Sequence, residues 1–316
     1  MKIISHEDIT SLNIKPIECY NWVKDMIAHK HEAILKPKIS MKVDESGFYN
    51  TMPAIVPSQN VAGVKLVNRY SNRNPSLDSQ IMLYDYSTGH FHGIMDANYI
   101  TTMRTGAVAA YSIELLAKKN FNTVGFIGLG NTARACFKVL MAIYPNAAFT
   151  ILLKEYKNQH DLFLDQYKAL YPSITFKVIS DTDELVKQSD VIVSSVTYTD
   201  KNLAEDTSYS KGCLVIPIHT RGFQNCDLFF EKVFGDDTGH ISDFKYFNSF
   251  KQFSELTDVV NKKKAGRENE YERILAYNIG IAIHDIYFAA KIFNLIKNKK
   301  ENLPNLNNLK DKIWVE

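Results

Sequence analysis

From residue 122 onward, short apolar runs alternate with amphipathic stretches. This alternation constrains the fold more than any other feature of the chain. TVGFIG (123–128), AFTILLK (148–154), TFKVIS (175–180), VIVSSV (191–196) and CLVIPI (213–218) read as strands. TARACFKVLMAIY (132–144), DLFLDQYKALY (161–171) and DELVKQ (183–188), which lie among them, read as helices. Strands that alternate with helices build βαβ units on a parallel sheet.

The first unit contains VGFIGLGNTARACF (124–137), in which Gly128-x-Gly130-x-x-Ala133 follows a strand and opens a helix. Gly128 suits a tight turn, Gly130 lets a pyrophosphate approach the backbone, and Ala133 keeps the helix close to the sheet. Asn131 and Thr132 start the helix, where free N–H groups and the positive end of the dipole favour phosphate. In this context the stretch predicts a dinucleotide site rather than an ordinary strand–turn–helix. About twenty residues on, the second strand ends in Lys154-Glu155, with Lys157 close by. Glu155 suits the ribose hydroxyls of NAD, whereas Lys154 or Lys157 suits the 2′-phosphate of NADP. Lys154 takes the strand's last position, which favours NADP; the alternative is three exposed loop charges.

The N-terminal third is organised differently. A helix is expected over 16–34, then strands ISMKV, GFYNTM, GVKLVNRY, QIMLYDY and HFHGIMD, then a helix over 98–118. Short successive strands with turn signals suggest an antiparallel or barrel-like sheet. A last, nearly all-apolar helix is expected over 270–297, buried on several sides and returning to the first domain.

Within this third, Arg104 falls on a helical stripe with Ile100, Val108 and Tyr111. A buried arginine requires a partner, either an internal carboxylate or an anionic ligand. Lys65 faces the same requirement inside the apolar strand AGVKLVN. Lys38 enters a strand at PKIS. Arginine grips carboxylates bidentately, and a desolvated lysine can transfer protons. Together the three suggest a small carboxylate substrate beside a nicotinamide.

The 316 residues allow one large or two medium domains. With 45% apolar residues a full core forms without staples, and a net charge of +2 without a basic block calls for neither nucleic acid nor anionic membrane. KNKKENLPNLNNLKDK near the C-terminus reads as a solvated tail. Cys19, Cys136, Cys213 and Cys226 form no CxxC pair and are expected to be reduced thiols of a cytoplasmic protein. MKIISHEDITSLNIK has no apolar signal-peptide core, and no run of about 18 apolar residues suggests a membrane span.

PKIS, TMPAIVP, GVKLVN, LYDYSTG, ITTMRTGAVAA, FIGLGNTA, DVIVSSVT, ELTDVV with AGR, and IGIAIHD occur in that order between about Lys36 and Phe293. In this the chain resembles the ornithine cyclodeaminase/mu-crystallin family. The resemblance implies an α/β fold. A Rossmann-type parallel-sheet domain (119–275) would bind dinucleotide, and a mixed α+β domain (1–118 and 276–316) would bind substrate and form a homodimer. It implies NAD(P)-dependent interconversion of amino acids with imines or keto acids. By position, Lys38 and Arg104 would contact the substrate carboxylate, and Lys65 would contact substrate and move protons. Gly128, Gly130 and Ala133 would form the pyrophosphate loop, Thr197 would lie near the cofactor, and Gly280 would sit on the last helix near the nicotinamide.

One departure stands out. Cyclodeaminases carry an aspartate in a segment like N-A-V-G-x-D-x-P that holds the substrate amine. Here the stretch is IPIHTRGFQNCD, with Gly222 at that place and Asp227 matching a later family acid. His219 would either replace the acid–base group or be a hydrogen-bonded structural histidine, and Arg221 would admit a second carboxylate or phosphate. Asp285 is kept, preceded by His284 where the family usually has Glu. The expected function is therefore an NAD(P)-dependent reductase or dehydrogenase of a small imino or amino acid. The alternatives are a cyclodeaminase and a catalytically silent cofactor binder.

Overall fold

The computed structural model describes residues 2–45, 47–197 and 199–296. The tail from 297, read above as solvated, lies outside the described residues. The first part of the chain forms β1 (Lys2–Ile4), α1 (His6–Thr10), α2 (Pro16–Ala28), β2 (Ile34–Leu35), β3 (Ile39–Lys42), β4 (Phe48–Val56), β5 (Val61–Arg69), β6 (Leu77–Asp85), β7 (Phe91–Asp96) and α3 (Asn98–Leu116). Pro16 opens α2 at a position where its missing N–H costs nothing, and the Glu18 side chain accepts from Lys15 N at 2.8 Å. The strands make one sheet of order β1-β7-β6-β5-β4-β2, with β3 also on β4. Its pairs are antiparallel except β1 on β7, which is parallel. Along β4 the buried Asn50, Met52, Ala54 and Val56 alternate with half-buried Tyr49, Thr51, Pro53 and Ile55. Period two therefore separates an inner from an outer face. Lys65 of β5 sits on the inner face, directly between Met52 of β4 and Ile81 of β6.

The remainder forms β8 (Thr123–Ile127), α4 (Asn131–Ile143), β9 (Thr150–Lys154), α5 (Gln159–Tyr167), β10 (Thr175–Ile179), α6 (Thr182–Gln188), β11 (Val191–Ser194), β12 (Leu214–Pro217), α7 (Cys226–Phe229), β13 (Lys232–Gly235), α8 (Thr238–Ile241), β14 (Phe253–Glu255), α9 (Leu256–Val260), β15 (Ile274–Tyr277) and α10 (Ala282–Ile296). Its sheet is parallel throughout, in the order β10-β9-β8-β11-β12-β15-β13-β14. The fold is α/β with a Rossmann-type parallel sheet. Strand order reverses between β8 and β11, and ligands bind such sheets outside the strand ends at that switch point.

The helix expected over 270–297 is a strand followed by a helix. Ile274–Tyr277 is fully buried and inserts between β12 and β13, and only Ala282–Ile296 is helical. A short, fully buried strand and a buried helix share one apolar pattern, so periodicity could not separate them. Ala276 and Tyr277 pair with Phe234 and Gly235 inside the parallel sheet, beyond the boundary expected at 275. Helix α10 then packs on β4, β5, β6, α2 and α3, and α3 packs on α4. The chain thus crosses back to the first sheet between β15 and α10.

Candidate active site

A cleft of about 500 Å³ lies between the inner face of the first sheet and the β8–α4 and β11 ends of the second. Met52, Lys65 and Arg69 line one wall, and Thr132, Thr197 and His219 the other. At its base Lys65, 1% exposed, and Arg104, 5% exposed, converge on Asp285. Lys65 Nζ donates to Asp285 Oδ1 at 2.8 Å and Arg104 Nε donates to the same oxygen at 2.9 Å. Lys65 Nζ also lies 3.4 Å from Thr101 Oγ1. Asp285 Oδ2 is buried without a partner among the described residues. Burial and the nearby guanidinium of Arg104 hold the Lys65 ammonium down to about 7, against the pull of Asp285. Asp285, although buried, is held below the usual carboxylate range by Arg104 and Lys65.

Only part of Arg104 is used by Asp285. Its two terminal nitrogens make no hydrogen bond among the described residues, and Arg104 is part of the cleft lining. They lie against Gly280, where a Cβ would stand 2.3 Å from Nη1 and 2.9 Å from Nη2. Gly280, at φ +78°, lies between β15 and α10 rather than on the last helix as expected, and its N–H donates to Asp236 Oδ2 at 2.9 Å. Asn278 Nδ2 donates to the other oxygen of Asp236 at 3.1 Å. Burial pushes the Asp236 carboxyl up. Lys38 completes the group: its Nζ reaches Ile279 O at 3.5 Å, and burial and Arg104 push its ammonium down. Three cations thus face one well-ionised carboxylate and a second whose ionisation burial opposes. A surface depression of similar size, about 490 Å³, also contains lysines. There Lys232 is bonded to Glu268 and Glu272, and Lys251 and Arg273 lie 3.9 Å from Glu231, so those lysines and that arginine each have a carboxylate close by.

At the other end of the cleft the glycine stretch forms the turn from β8 into α4. A Cβ on Gly128 would lie 3.0 Å from the Ser195 and Val196 backbone, so the chain leaving β11 packs against a glycine here, which is at φ +82°. Gly130 is the N-cap of α4, makes no capping bond, and has nothing within 4 Å of where a Cβ would stand. Space and free N–H groups of Asn131, Thr132 and Ala133 therefore coincide at a helix N-terminus, which fits a pyrophosphate. Lys154 ends β9 as expected, half-buried, with Nζ donating to Glu155 O at 2.9 Å; Glu155 and Lys157 are exposed. Thr197 is on the cleft wall, and its carbonyl accepts from Arg69 Nη1 at 3.0 Å.

The segment after β12 divides. His219 is on the cleft wall with Nε2 2.7 Å from Ser194 Oγ, and burial pushes its pKa down to about 4, so it is neutral at pH 7. Arg221 is exposed and outside the cleft lining. Gly222 is also off the lining. At φ +100°, with a Cβ position 2.9 Å from Thr199 Cγ2, a side chain there would be strained and would have to displace its neighbours. Asp227 is buried and accepts from Tyr277 OH at 2.8 Å.

The model of the ornithine cyclodeaminase/mu-crystallin family matches residues 2–300. The chain belongs to that family. Among curated members, nodulation efficiency protein NfeD of Rhizobium meliloti is 24% identical, over 92% of this chain and 94% of its own length. The Delta(1)-pyrroline-2-carboxylate reductase of Colwellia psychrerythraea is 26% identical, over 92% of this chain and 98% of its own. The solved structure of the Thermococcus litoralis enzyme of that name, in complex with NADH and L-proline, shares the fold. The TM-score is 0.82 at 21% identity, covering 94% of this chain and 98% of that one. In this family member, sequence reasoning located Lys65, Arg104 and the glycine stretch. It underrated Asp285 and missed Asp236 and Arg69. Period two along β5 was the available signal for Arg69, because residues 65, 67 and 69 share a face.

Proposed function

We propose that this cleft reduces the C=N bond of a small imino acid with NAD(P)H, and oxidises the corresponding amino acid in reverse. The observation that carries the proposal is the excess of positive charge from buried Lys65 and Arg104 and half-buried Lys38, with two unbonded Arg104 nitrogens, in a cleft whose other end meets the uncapped N-terminus of α4. A carboxylate would neutralise that excess and accept the unused guanidinium donors.

Roles follow from the geometry. Arg104, oriented by Asp285 and by contact with Gly280, grips the substrate carboxylate, and Lys38 adds charge to it. Lys65, held near neutrality, donates the proton to the imine nitrogen. His219, neutral and engaged by Ser194, serves as a wall of the cleft rather than its acid. Gly128, Gly130, Asn131, Thr132 and Ala133 hold the pyrophosphate, Lys154 and Glu155 meet the adenosine ribose, and Thr197 lies near the nicotinamide. The bound nicotinamide supplies a hydride to the imine carbon. In balance, C=N, NAD(P)H and one proton give CH–NH and NAD(P)⁺.

The test crosses NADH and NADPH with keto acids plus ammonia or amino acids, and with preformed cyclic imines. Cofactor oxidation matched to amine formation supports the reductase. Ammonia release from ornithine without net oxidation would replace it with a cyclodeaminase, and neither reaction would leave a cofactor binder.

The homodimer belongs to the same reading. On the outer face of the first sheet, Ile55, Val64, Leu66, Met82, Tyr84 and Ile94 form an apolar area, with Ile94 37% exposed. A second copy packing there would cover it. Light scattering should return twice the mass of the 36.1 kDa chain, and a monomer at micromolar concentration contradicts the dimer. The four cysteines are buried and unpaired, which fits a reducing cytoplasm. No helix among the described residues is long and apolar enough to cross a membrane.

A further inference from the structure

We infer that Arg69 reads a second carboxylate on the substrate, so that the preferred imine is a small dicarboxylate. The inference deepens the reductase reading and rests on it. Arg69 lies on the same face of β5 as Lys65, with Val67 between them, and all three line the cleft. Register places Phe48 and Leu77 beside Arg69, Asn50 and Ser79 beside Val67, and Met52 and Ile81 beside Lys65. One continuous floor therefore runs from the inner cations to Arg69.

The Arg69 guanidinium is only partly satisfied. Nη1 donates to Thr197 O at 3.0 Å, and Nε is buried without a hydrogen-bond partner. Asp44 acts on it electrostatically, but no carboxylate pairs with it within 4.0 Å among the described residues. The guanidinium is half-buried, its buried Nε lacks an acceptor, and its fork matches a carboxylate. The site offers a separate anion pole from the one at Arg104, while Val67, 5% exposed, gives the middle of the floor an apolar surface. Four residues of strand separate the Cα atoms of Lys65 and Arg69 by about 13 Å, so the second anion pole lies along the floor from the one at Arg104. Arg221, the sequence-based choice for this role, is exposed and off the cleft, whereas Arg69 is in it.

Three imine sources test the assignment: pyruvate with ammonia (one carboxylate), 2-oxoglutarate with ammonia (two on one carbon chain), and pyruvate with glycine (two across the nitrogen). Initial rates of NAD(P)H oxidation are compared for the native chain, Arg69→Gln and Arg69→Lys. At least one two-carboxylate source should be preferred by kcat/KM, and that source identifies which chain bears the second carboxylate. Arg69→Gln should reduce the preference about tenfold through KM, and Arg69→Lys should retain part of it. Equal losses on one- and two-carboxylate substrates would overturn the inference, because Arg69 would then only latch Thr197. If no imine is reduced, the reductase reading fails by itself. Calorimetry of the NADP⁺-loaded protein with glutarate and butyrate then decides about Arg69. Tighter glutarate binding that Arg69→Gln abolishes supports the second anion site, and equal binding overturns it.

Discussion

Lys65 and Arg104 donate to the same oxygen of Asp285, at 2.8 and 2.9 Å. One carboxylate on α10 thus holds together a strand lysine and a helix arginine, both buried. In Asp285→Asn the shape is kept and the charge is lost, so Arg104 loses its counter-ion and Lys65 loses the interaction that helps it keep its proton. Breaking a buried pair in this way costs about 3–5 kcal/mol. Urea unfolding at pH 7 should show the midpoint falling accordingly. Because the folded Asp285 pKa is lowered, its contribution is present above the unfolded value and is lost as pH falls through the folded one. The difference between native and variant should therefore narrow in acid, and a midpoint unaffected at pH 7 would contradict the pairing.

As the proposed proton donor, Lys65 would set a pH limit on catalysis. Its ammonium is held down to about 7, so the proton donor is lost as pH rises through that value. The kcat/KM for imine reduction should fall with a one-proton limb near pH 7, and kcat/KM for amine oxidation should rise across the same range. Stability runs the opposite way. The unfolded lysine keeps its proton up to about 10.4, so between the two values the unfolded state binds more protons and stability rises with pH. A flat kcat/KM profile from pH 6 to 9 would place the proton donor elsewhere.

Gly280 acts through Arg104. A methyl group there would stand 2.3 Å from Nη1, on a backbone at φ +78° that disfavours alanine. Gly280→Ala should displace the guanidinium and raise KM for the carboxylate substrate about tenfold, with about 1–3 kcal/mol of stability lost to strain. NAD(P)H affinity, measured by fluorescence, should change far less. A larger effect on the cofactor than on substrate would return Gly280 to the nicotinamide role that family position suggested.

Much of this arrangement was legible in the sequence, for identifiable reasons. Strand–helix alternation carried the parallel sheet, and the position of Gly128 and Gly130 after a strand marked the turn into α4 that is proposed to hold the pyrophosphate. The apolar surroundings of Lys65 and Arg104 announced that both needed partners, but which partner is tertiary information: Asp285 is brought to them only by the return of α10. Ile274–Tyr277 was misread because burial on both faces erases the alternation that marks a strand. His219 had two open readings, and the bond to Ser194 favours the structural one. Gly222 stands at the family's aspartate position, and its φ of +100° and the nearby Thr199 and Leu203 side chains disfavour a side chain there.

Lys154 ends β9 beside β8, half-buried, and among the described residues its ammonium is held by the neighbouring carbonyl of Glu155. A 2′-phosphate would supply the missing anion. Lys154→Glu should weaken NADPH binding well beyond NADH binding. Equal losses, or none, would favour Glu155 and NAD as the natural pair.

Gly130→Asp separates cofactor binding from folding. Gly130 is the N-cap of α4 at φ −73°, a conformation open to any L-residue, and no atom lies within 4 Å of the Cβ position. Aspartate is a favoured N-cap because its side chain accepts from the first free N–H groups of a helix. The variant should therefore melt at the native temperature or slightly above it. Those same N–H groups are the ones proposed to hold the pyrophosphate. The new carboxylate would occupy them, cancel the positive end of the helix dipole and repel phosphate at close range. Even at an effective dielectric near 20, two charges 4 Å apart interact by about 4 kcal/mol. An affinity loss of about a hundredfold or more is expected for NADH and NADPH alike. Thermal melting with and without cofactor reads both quantities at once: the native protein should gain stability from NAD(P)H and the variant should not. A variant stabilised by cofactor as much as the native protein would show that the pyrophosphate does not bind at Gly130.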